Sequence, residues 1–396
     1  MKRYGFGLII WGIVLLAAWG TSLAATGDLQ LISTFEGGKL YRAGQINVLE
    51  LHGTFRQMGR QYGQLLKDQL QAFYREAIEA RIIQKGTATA EELSVMAHKV
   101  FDFYPKRFKD LFQGMAETSG LDLEKHIRLN WACGFILEAP PAQCSAMAAW
   151  GEYTGGKPLV FGRNWDLPRA LFKDFLKFFT VVVFNPEDGN PVADINFPGS
   201  LMLQTAMNKE GLFLEFNNGL FSGGSITFAN RKPINTLLLE FLFDCSNLRE
   251  LDAGFHTGRA NAVGIVNVAD QAGAYAYEWP TFGLKKRVGD RNGLLVETNH
   301  FVDPDWGLAE LPPGVEKELK TIKRRNHLLA LGDKFKGKID VGKMKEIIAI
   351  PIDQGGAAFP EGTLYHLVAV PGELQWWLKI PGFQDWTEID LKKLCK

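Results

Sequence analysis

The stretch PAQCSAMAAWGEYTGGKPLVFGRNWD, residues 141–166, sets Cys144 at the head of a run of strand-forming residues. A cysteine there can be a small buried hydrophobe or a nucleophile served by a histidine base, and a strand start offers a further use. If the Gln143–Cys144 bond were cut, Cys144 would carry a thiol and a free α-amine on the same residue. An α-amine titrates near ~7.7–8.0, close enough to neutrality to take the proton of the thiol. Nucleophile and base would then be one residue, and no histidine would be needed. The histidines fit this economy, since none lies between Cys144 and His256. A Gly-x-Ser-x-Gly elbow, a phosphate-binding Walker loop, a His-Glu-x-x-His helix and a dinucleotide fingerprint are all missing from the sequence.

The elements around Cys144 must deliver that geometry. Before it, FRQMGRQYGQLLKDQLQAFYREAIEARII repeats apolar residues at three- and four-residue spacing, which predicts helix from Gln57 onward. Gly59 and Gly63, four apart, predict a second element packed close against that helix. Further helices are expected over Ala90–Met115 and from Asp122 to Ile136, with Pro140-Pro141 ending helix formation. After Cys144 the texture changes. Strands are expected at 145–151, 158–162, 178–185, 201–207, 211–217, 262–268, 273–279 and 293–298, joined in pairs by Gly- and Asn-containing turns. Helices return at 234–255, 315–333 and 341–349, and strands at 363–370 and 374–380 close the chain. Paired strands with interposed helices predict an α+β layered domain.

Composition narrows the function classes. The chain has 396 residues with 44 basic and 44 acidic side chains, and no basic block marks a nucleic-acid surface. The four cysteines, Cys133, Cys144, Cys245 and Cys395, match no zinc spacing and are too few for a disulfide-built scaffold. No metal and no cofactor is expected. The N-terminus, MKRYGFGLIIWGIVLLAAWGTSLAATGD, has a positive start, an apolar run and Ser22-Leu23-Ala24 as a small-x-small cleavage pattern. It predicts an export signal over residues 1–24, and hence a periplasmic or secreted protein, with membrane association only if the segment is retained.

Taken together, CSAMAAWG…FGRNWD, LHGTFRQMGRQYGQLL, MNKEGLFLEFNNG, ETNHF and TIKRRNHLLAL resemble the N-terminal-nucleophile hydrolases. The nearest group is that of isopenicillin-N acyltransferase (acyl-CoA:6-aminopenicillanic acid acyltransferase). Choloylglycine (bile-salt) hydrolase and penicillin V acylase are more distantly similar. The resemblance spans about residues 45–380. It implies a four-layer αββα sandwich preceded by an N-terminal helical segment. Self-cleavage at Gln143–Cys144 would yield an α-chain, 25–143, and a catalytic β-chain, 144–396.

Carried onto this sequence, the resemblance makes Cys144 the nucleophile. Asp166 orients its amine, and Arg163 supplies positive charge to the thiolate. Asn299 gives its side-chain amide to the oxyanion, and a backbone N–H near Asn217-Asn218 gives the second donor. Arg324 or Arg325 closes the site. The implied reaction is attack on a small-molecule acyl amide through a Cys144 thioester. In the family the residue before the nucleophile is often Gly, whereas here it is Gln143. An unprocessed, non-catalytic envelope binding protein of the same fold is the alternative that this departure supports.

Overall fold

The computed structural model describes residues 29–135, 143–168, 172–227, 231–307, 311 and 313–396. The expected export signal, 1–24, and the Pro140-Pro141 stop lie outside the described residues. Three strands come first: β1 (Gln30–Phe35), β2 (Gly38–Ala43) and β3 (Ile46–Gly53). Helices follow as α1 (Phe55–Leu65), α2 (Lys67–Phe73, continued by π-helix Tyr74–Ile83), α3 (Ala90–Phe101), α4 (Lys106–Thr118) and α5 (Leu123–Phe135). Past Cys144 come β4 (Ser145–Ala149), β5 (Val160–Asp166), β6 (Thr180–Pro186), β7 (Val192–Asn196), β8 (Thr205–Asn208) and β9 (Phe213–Asn218). Next are α6 (Ile234–Asp244), α7 (Leu248–Thr257), β10 (Gly264–Ala269), β11 (Ala274–Trp279), β12 (Lys285–Arg287) and β13 (Leu294–Glu297). The chain ends with α8 (Pro313–Leu319), α9 (Thr321–Lys334), α10 (Val341–Ala349), β14 (Thr363–Val370), β15 (Gln375–Ile380) and β16 (Gln384–Asp390).

The strands form two sheets. One has the order β1-β2-β3-β6-β7-β8-β9-β10-β11-β12, and the other β13-β4-β5-β14-β15-β16. Neighbours are antiparallel except β3 and β6, which run parallel from Asn47↔Thr180 to Gly53↔Pro186. The sheets face each other across contacts such as Phe161 against Phe213, with ring centroids 4.7 Å apart, and Thr205 Oγ1 with the Tyr365 hydroxyl at 2.7 Å. Helix α1 packs on β2 and β3, and α6 on β8, along the large sheet. Helices α9 and α10 cover β13, β4, β5 and β14. This is a four-layer αββα sandwich.

Local chemistry explains the boundaries. Thr54 with Gln57, and Thr89 with Glu92, form reciprocal capping boxes that satisfy the first donors of α1 and α3. The expected single helix over 90–115 is two, because Pro105 has no N–H to donate and disfavours helix at the residue before it. The expected helix over 234–255 also breaks, at Cys245-Ser246, and Asn247 caps the second piece by accepting from the Arg249 and Glu250 N–H groups. The segment 25–143 is helical only from Phe55 onward, since its first described part supplies β1–β3 to the large sheet. Behind the small sheet, Met147, Val160, Leu294, Val296, Leu328, Met344, Ile347 and Ile348 pack into a second apolar cluster. Burying each such side chain contributes about 1.5–3 kcal/mol.

The glycine pair in α1 does what its spacing suggests. A Cβ on Gly59 would lie 2.1 Å from the Leu111 carbonyl oxygen of α4, and one on Gly63 would lie 2.5 Å from that of Met115. Backbone cannot retreat as a side chain can. Gly59→Ala is therefore expected to destabilise the fold by about 2 kcal/mol, overpacking outweighing the gain in helix propensity. The midpoint of urea unfolding measures it, and an unchanged midpoint would show that α1 and α4 separate at no cost.

Candidate active site

Cys144 directly precedes β4, which lies between β13 and β5 in the small sheet. The residue is buried, 2% exposed, between the two sheets. Pairing of β4 with β5 sets Arg163 opposite Ala146. From there the Arg163 guanidinium turns towards the large sheet. Its Nη2 lies 3.8 Å from Cys144 Sγ and donates to the Phe216 carbonyl at 2.8 Å. Its Nη1 pairs with Glu215 Oε2 at 2.6 Å, both groups being fully buried, and also donates to the Gln204 carbonyl. Glu215 in turn accepts from Asn267. A buried cation without such a partner would be strongly disfavoured. Burial opposes the Arg163 charge, but Glu215, Tyr365 and Cys144 together favour it, and its pKa is raised.

Asp166 ends β5, in the same strand as Arg163. Three residues apart in a regular strand point to opposite faces. Here β14 carries an irregularity, with Asp166 opposite Thr363 but Trp165 opposite Tyr365, and such a bulge adds local twist. Asp166 Oδ1 accepts from Thr363 Oγ1 at 2.5 Å, while Oδ2 is buried without a hydrogen-bond partner among the described residues. The Asp166 carbonyl accepts from the Gln143 N–H at 3.0 Å. Burial raises the Asp166 carboxyl to about 7, against the opposing pull of Thr363, Arg324 and Arg163. Burial also raises the Cys144 thiol to about 11, opposed by Arg163. In the uncut chain the thiol is thus protonated near neutrality, beside an acid that titrates there.

Arg324 and Arg325, adjacent in α9, part company. Arg324 is fully buried, and its Nη1 donates to both the Gln143 and the Cys144 carbonyl oxygens at 2.6 Å. Its Nη2 donates to Asn299 Oδ1 at 2.8 Å and its Nε to the Leu319 carbonyl at 3.0 Å. Arg325 turns instead to Asp290, which also pairs with Arg287 at 2.8 Å. Arg287 in turn reaches Glu297 of β13. Arg325 therefore braces β13, and of the two arginines it is Arg324 that the fold brings to Cys144.

Asn299 is held on three sides. Its N–H donates to Thr321 Oγ1 at 2.8 Å, its Oδ1 accepts from Arg324, and its Nδ2 donates to the Asn218 carbonyl at 2.9 Å. That last bond commits one of two amide hydrogens and fixes the plane of the other. The Asn218 side chain accepts from the Leu220 N–H at 2.9 Å and lines the cavity at Cys144. His300 is bound to Thr321 at 2.9 Å, and burial drives its pKa down to about 3, so its imidazole is uncharged at neutral pH. Two partners escaped sequence reasoning, Glu215 and Thr363. Glu215 left a signal, a lone acid in the apolar strand FLEFNN; Thr363 left none.

Cys144 opens into a cavity of ≈ 240 Å³. Its walls include Trp165, Met202, Phe216, Leu220, Ile234 and Val263, with Gln204, Asn218, Asn235 and Asn261 as the polar groups. Among the described residues no Asp, Glu, Lys or Arg lines it. The space suits an uncharged, largely apolar group. Among the described residues no cluster of three or more His, Cys, Asp or Glu could hold a metal ion, and no helix is long and apolar enough to cross a membrane.

No family model matches the sequence. Among curated proteins the chain is similar to Protein dcd1B of Dictyostelium discoideum, 26% identical over 267 residues, covering 59% of this chain and 50% of that protein. Protein dcd1A of the same organism is 27% identical over 208 residues, covering 43% and 45%. The chain spans about half the length of these relatives. Among solved structures it is similar to a variant of the conjugated bile acid hydrolase of Clostridium perfringens, at 13% identity and TM-score 0.45, over 63% of this chain and 93% of that one. It is also similar to the Caenorhabditis elegans ortholog of N-acylethanolamine-hydrolyzing acid amidase, at 15% identity and TM-score 0.42, over 61% and 95%. The penicillin V acylase of Agrobacterium tumefaciens gives 12% identity and TM-score 0.41, over 63% and 87%.

Proposed function

We propose that the chain is an exported cysteine amide hydrolase or acyltransferase that cuts itself at Gln143–Cys144 and then works through a Cys144 thioester. The observation that carries the reading is the unpartnered Asp166 Oδ2, buried beside a cysteine at a strand start. A buried carboxylate oxygen without a partner is costly in the uncut chain. Cleavage would create an α-ammonium on Cys144, the group this oxygen lacks. A cation there would stabilise the Asp166 carboxylate and hold the new amine in place.

The chemistry then runs in two stages. Cys144 Sγ attacks the acyl carbonyl, its proton passing to the α-amine, and the oxyanion is met by Asn299 Nδ2 and a backbone N–H near Asn218. The leaving amine takes the proton from the α-ammonium. Water or a second amine resolves the thioester by the same route in reverse. The uncharged cavity favours an apolar acyl group over a charged one, and the substrate is a small-molecule acyl amide.

Intact-mass measurement with N-terminal sequencing tests the reading. Purified protein is expected to give two pieces, the larger beginning at Cys144 and the smaller at Ala25 once the export segment is removed. The pieces are expected to co-purify, because β3 of the smaller pairs with β6 of the larger in the middle of one sheet. An active, uncut chain would overturn the proposal, and an inactive uncut one would favour the binding-only alternative.

A further inference from the structure

The scissile carbonyl is already held by a cation. Arg324 Nη1 lies 2.6 Å from the Gln143 oxygen, and the Gln143 residue is pinned on both flanks. Its N–H donates to the Asp166 carbonyl at 3.0 Å, and its side-chain Nε2 donates to the Glu318 carbonyl at 3.1 Å. Arg324 is itself fixed by Leu319 and Asn299, and its guanidinium carbon lies 5.4 Å from the Phe359 ring centroid. A buried guanidinium so constrained cannot be there to solvate a surface.

We infer that Arg324 is the electrophile of self-cleavage, its guanidinium stabilising the oxyanion that forms on Gln143 when Cys144 attacks its own preceding carbonyl. The inference rests on the self-processing reading above and assigns to Arg324 a role in maturation separate from substrate turnover. In the step, Sγ bonds to the Gln143 carbonyl carbon, and the thiol proton leaves towards Asp166. Charge builds on the Gln143 oxygen, where Arg324 already donates. Collapse breaks the C–N bond, and the departing Cys144 nitrogen takes up that proton. Water then attacks the Gln143–Cys144 thioester, releasing a Gln143 carboxylate and regenerating the thiol. A donor placed in advance needs no reorganisation as charge develops, which is why such groups stabilise transition states well.

The same view accounts for Gln143 in place of glycine. Its side-chain bond to Glu318 is one a glycine could not make, and it orients the carbonyl towards Arg324.

The test is the rate at which full-length chain, made by cell-free translation, converts into the two fragments, followed by intact mass. Arg324→Gln removes the charge and, being shorter with a single NH2, withdraws the donor from the Gln143 oxygen, and is expected to slow conversion by on the order of a hundredfold. Arg324→Lys keeps a cation but not the fork that reaches Leu319 and Asn299, and is expected to cleave faster than Arg324→Gln and slower than the parent. In Arg324→Ala, free guanidinium at non-denaturing concentration is expected to restore cleavage without raising the thermal melt of the variant, whereas a purely structural rescue would raise it. A folded Arg324→Gln chain, judged by its thermal melt, that cleaves at the parent rate would overturn the assignment while leaving self-processing intact. A parent chain that never cleaves would remove both.

Discussion

Cys144→Ala is expected to remain a single chain beginning at Ala25 and to show no acyl-enzyme and no turnover. Without a sulfur there is neither attack on Gln143 nor a thioester to resolve. Cys144→Ser keeps an attacking atom, but a hydroxyl near neutral pH is a far weaker nucleophile than a thiol, so slow processing and loss of most turnover are expected. The remaining cysteines are a built-in control. Cys133, Cys245 and Cys395 are buried and no disulfide joins the four. Burial raises the thiols of Cys245 and Cys395 to about 11 and about 12. Cys144 lies at the head of a strand with a guanidinium 3.8 Å from its sulfur. Alanine at any of the other three is expected to cost stability through a small cavity and to leave kcat/KM unchanged. A thiol-directed reagent should block activity through one site, the first residue of the larger fragment. Turnover by Cys144→Ala, or inactivation that maps to another cysteine, would end the mechanism.

Much of the fold after Cys144 was legible because its pairings are local. Strands β8 with β9, and β10 with β11, are joined by short turns in which Gly211 and Gly273 mark the reversal, β4 and β5 by a longer connection holding Gly155-Gly156, and helix α10 coincides with its expected span of 341–349. The opening strands were not legible. In QLISTFEGGKLYRAGQINVLELHG charges and glycines interrupt the alternation, and β1 is mostly exposed. What makes β3 a central strand is its parallel partner β6, more than a hundred residues away, and no local pattern encodes that. The short β7, VADIN, hides for another reason: it carries a buried Asp194, whose carboxyl burial raises to about 8.

For the site, residue types were legible and their division of labour was not. Cys144, Arg163 and Asp166 fall within two paired strands, so sequence proximity became spatial proximity. Asn299 and Arg324 arrive from far along the chain, and only the resemblance brought them forward. Arg324 and Arg325 were indistinguishable as letters. Consecutive helical residues point about 100° apart, so one meets the Gln143 carbonyl and the other Asp290. Glu215 was invisible as a partner because an acid in an apolar strand acquires meaning only once Arg163 is seen to need it.

Asp166→Asn is expected to cut turnover by on the order of a hundredfold or more while making the uncut chain more resistant to unfolding at alkaline pH. The two effects share one cause. In the folded, uncut chain burial holds the carboxyl at about 7, above its ordinary value of 3.8. The folded state therefore keeps a proton that the unfolded state gives up as pH rises from about 4, and stability falls over that interval until both states are ionised above about 7. Asparagine has no proton to lose, so its stability should not decline there. Thr363 can still donate to its oxygen, as it does to Asp166 Oδ1. The kinetic consequence has the opposite sign. Receiving the thiol proton requires the ionised carboxylate, so self-cleavage of the parent should accelerate through a midpoint near pH 7, and Asp166→Asn should lose that inflection. After the cut, the Cys144 ammonium beside Oδ2 should pull the carboxyl well below neutrality, leaving turnover to follow the α-amine, which the same pairing raises above its free value of ~7.7–8.0. Pairing the two measurements separates chemistry from folding, because a merely damaged protein would lose stability along with activity. If Asp166→Asn processes with the parent's pH profile, Asp166 takes no part in the proton transfer.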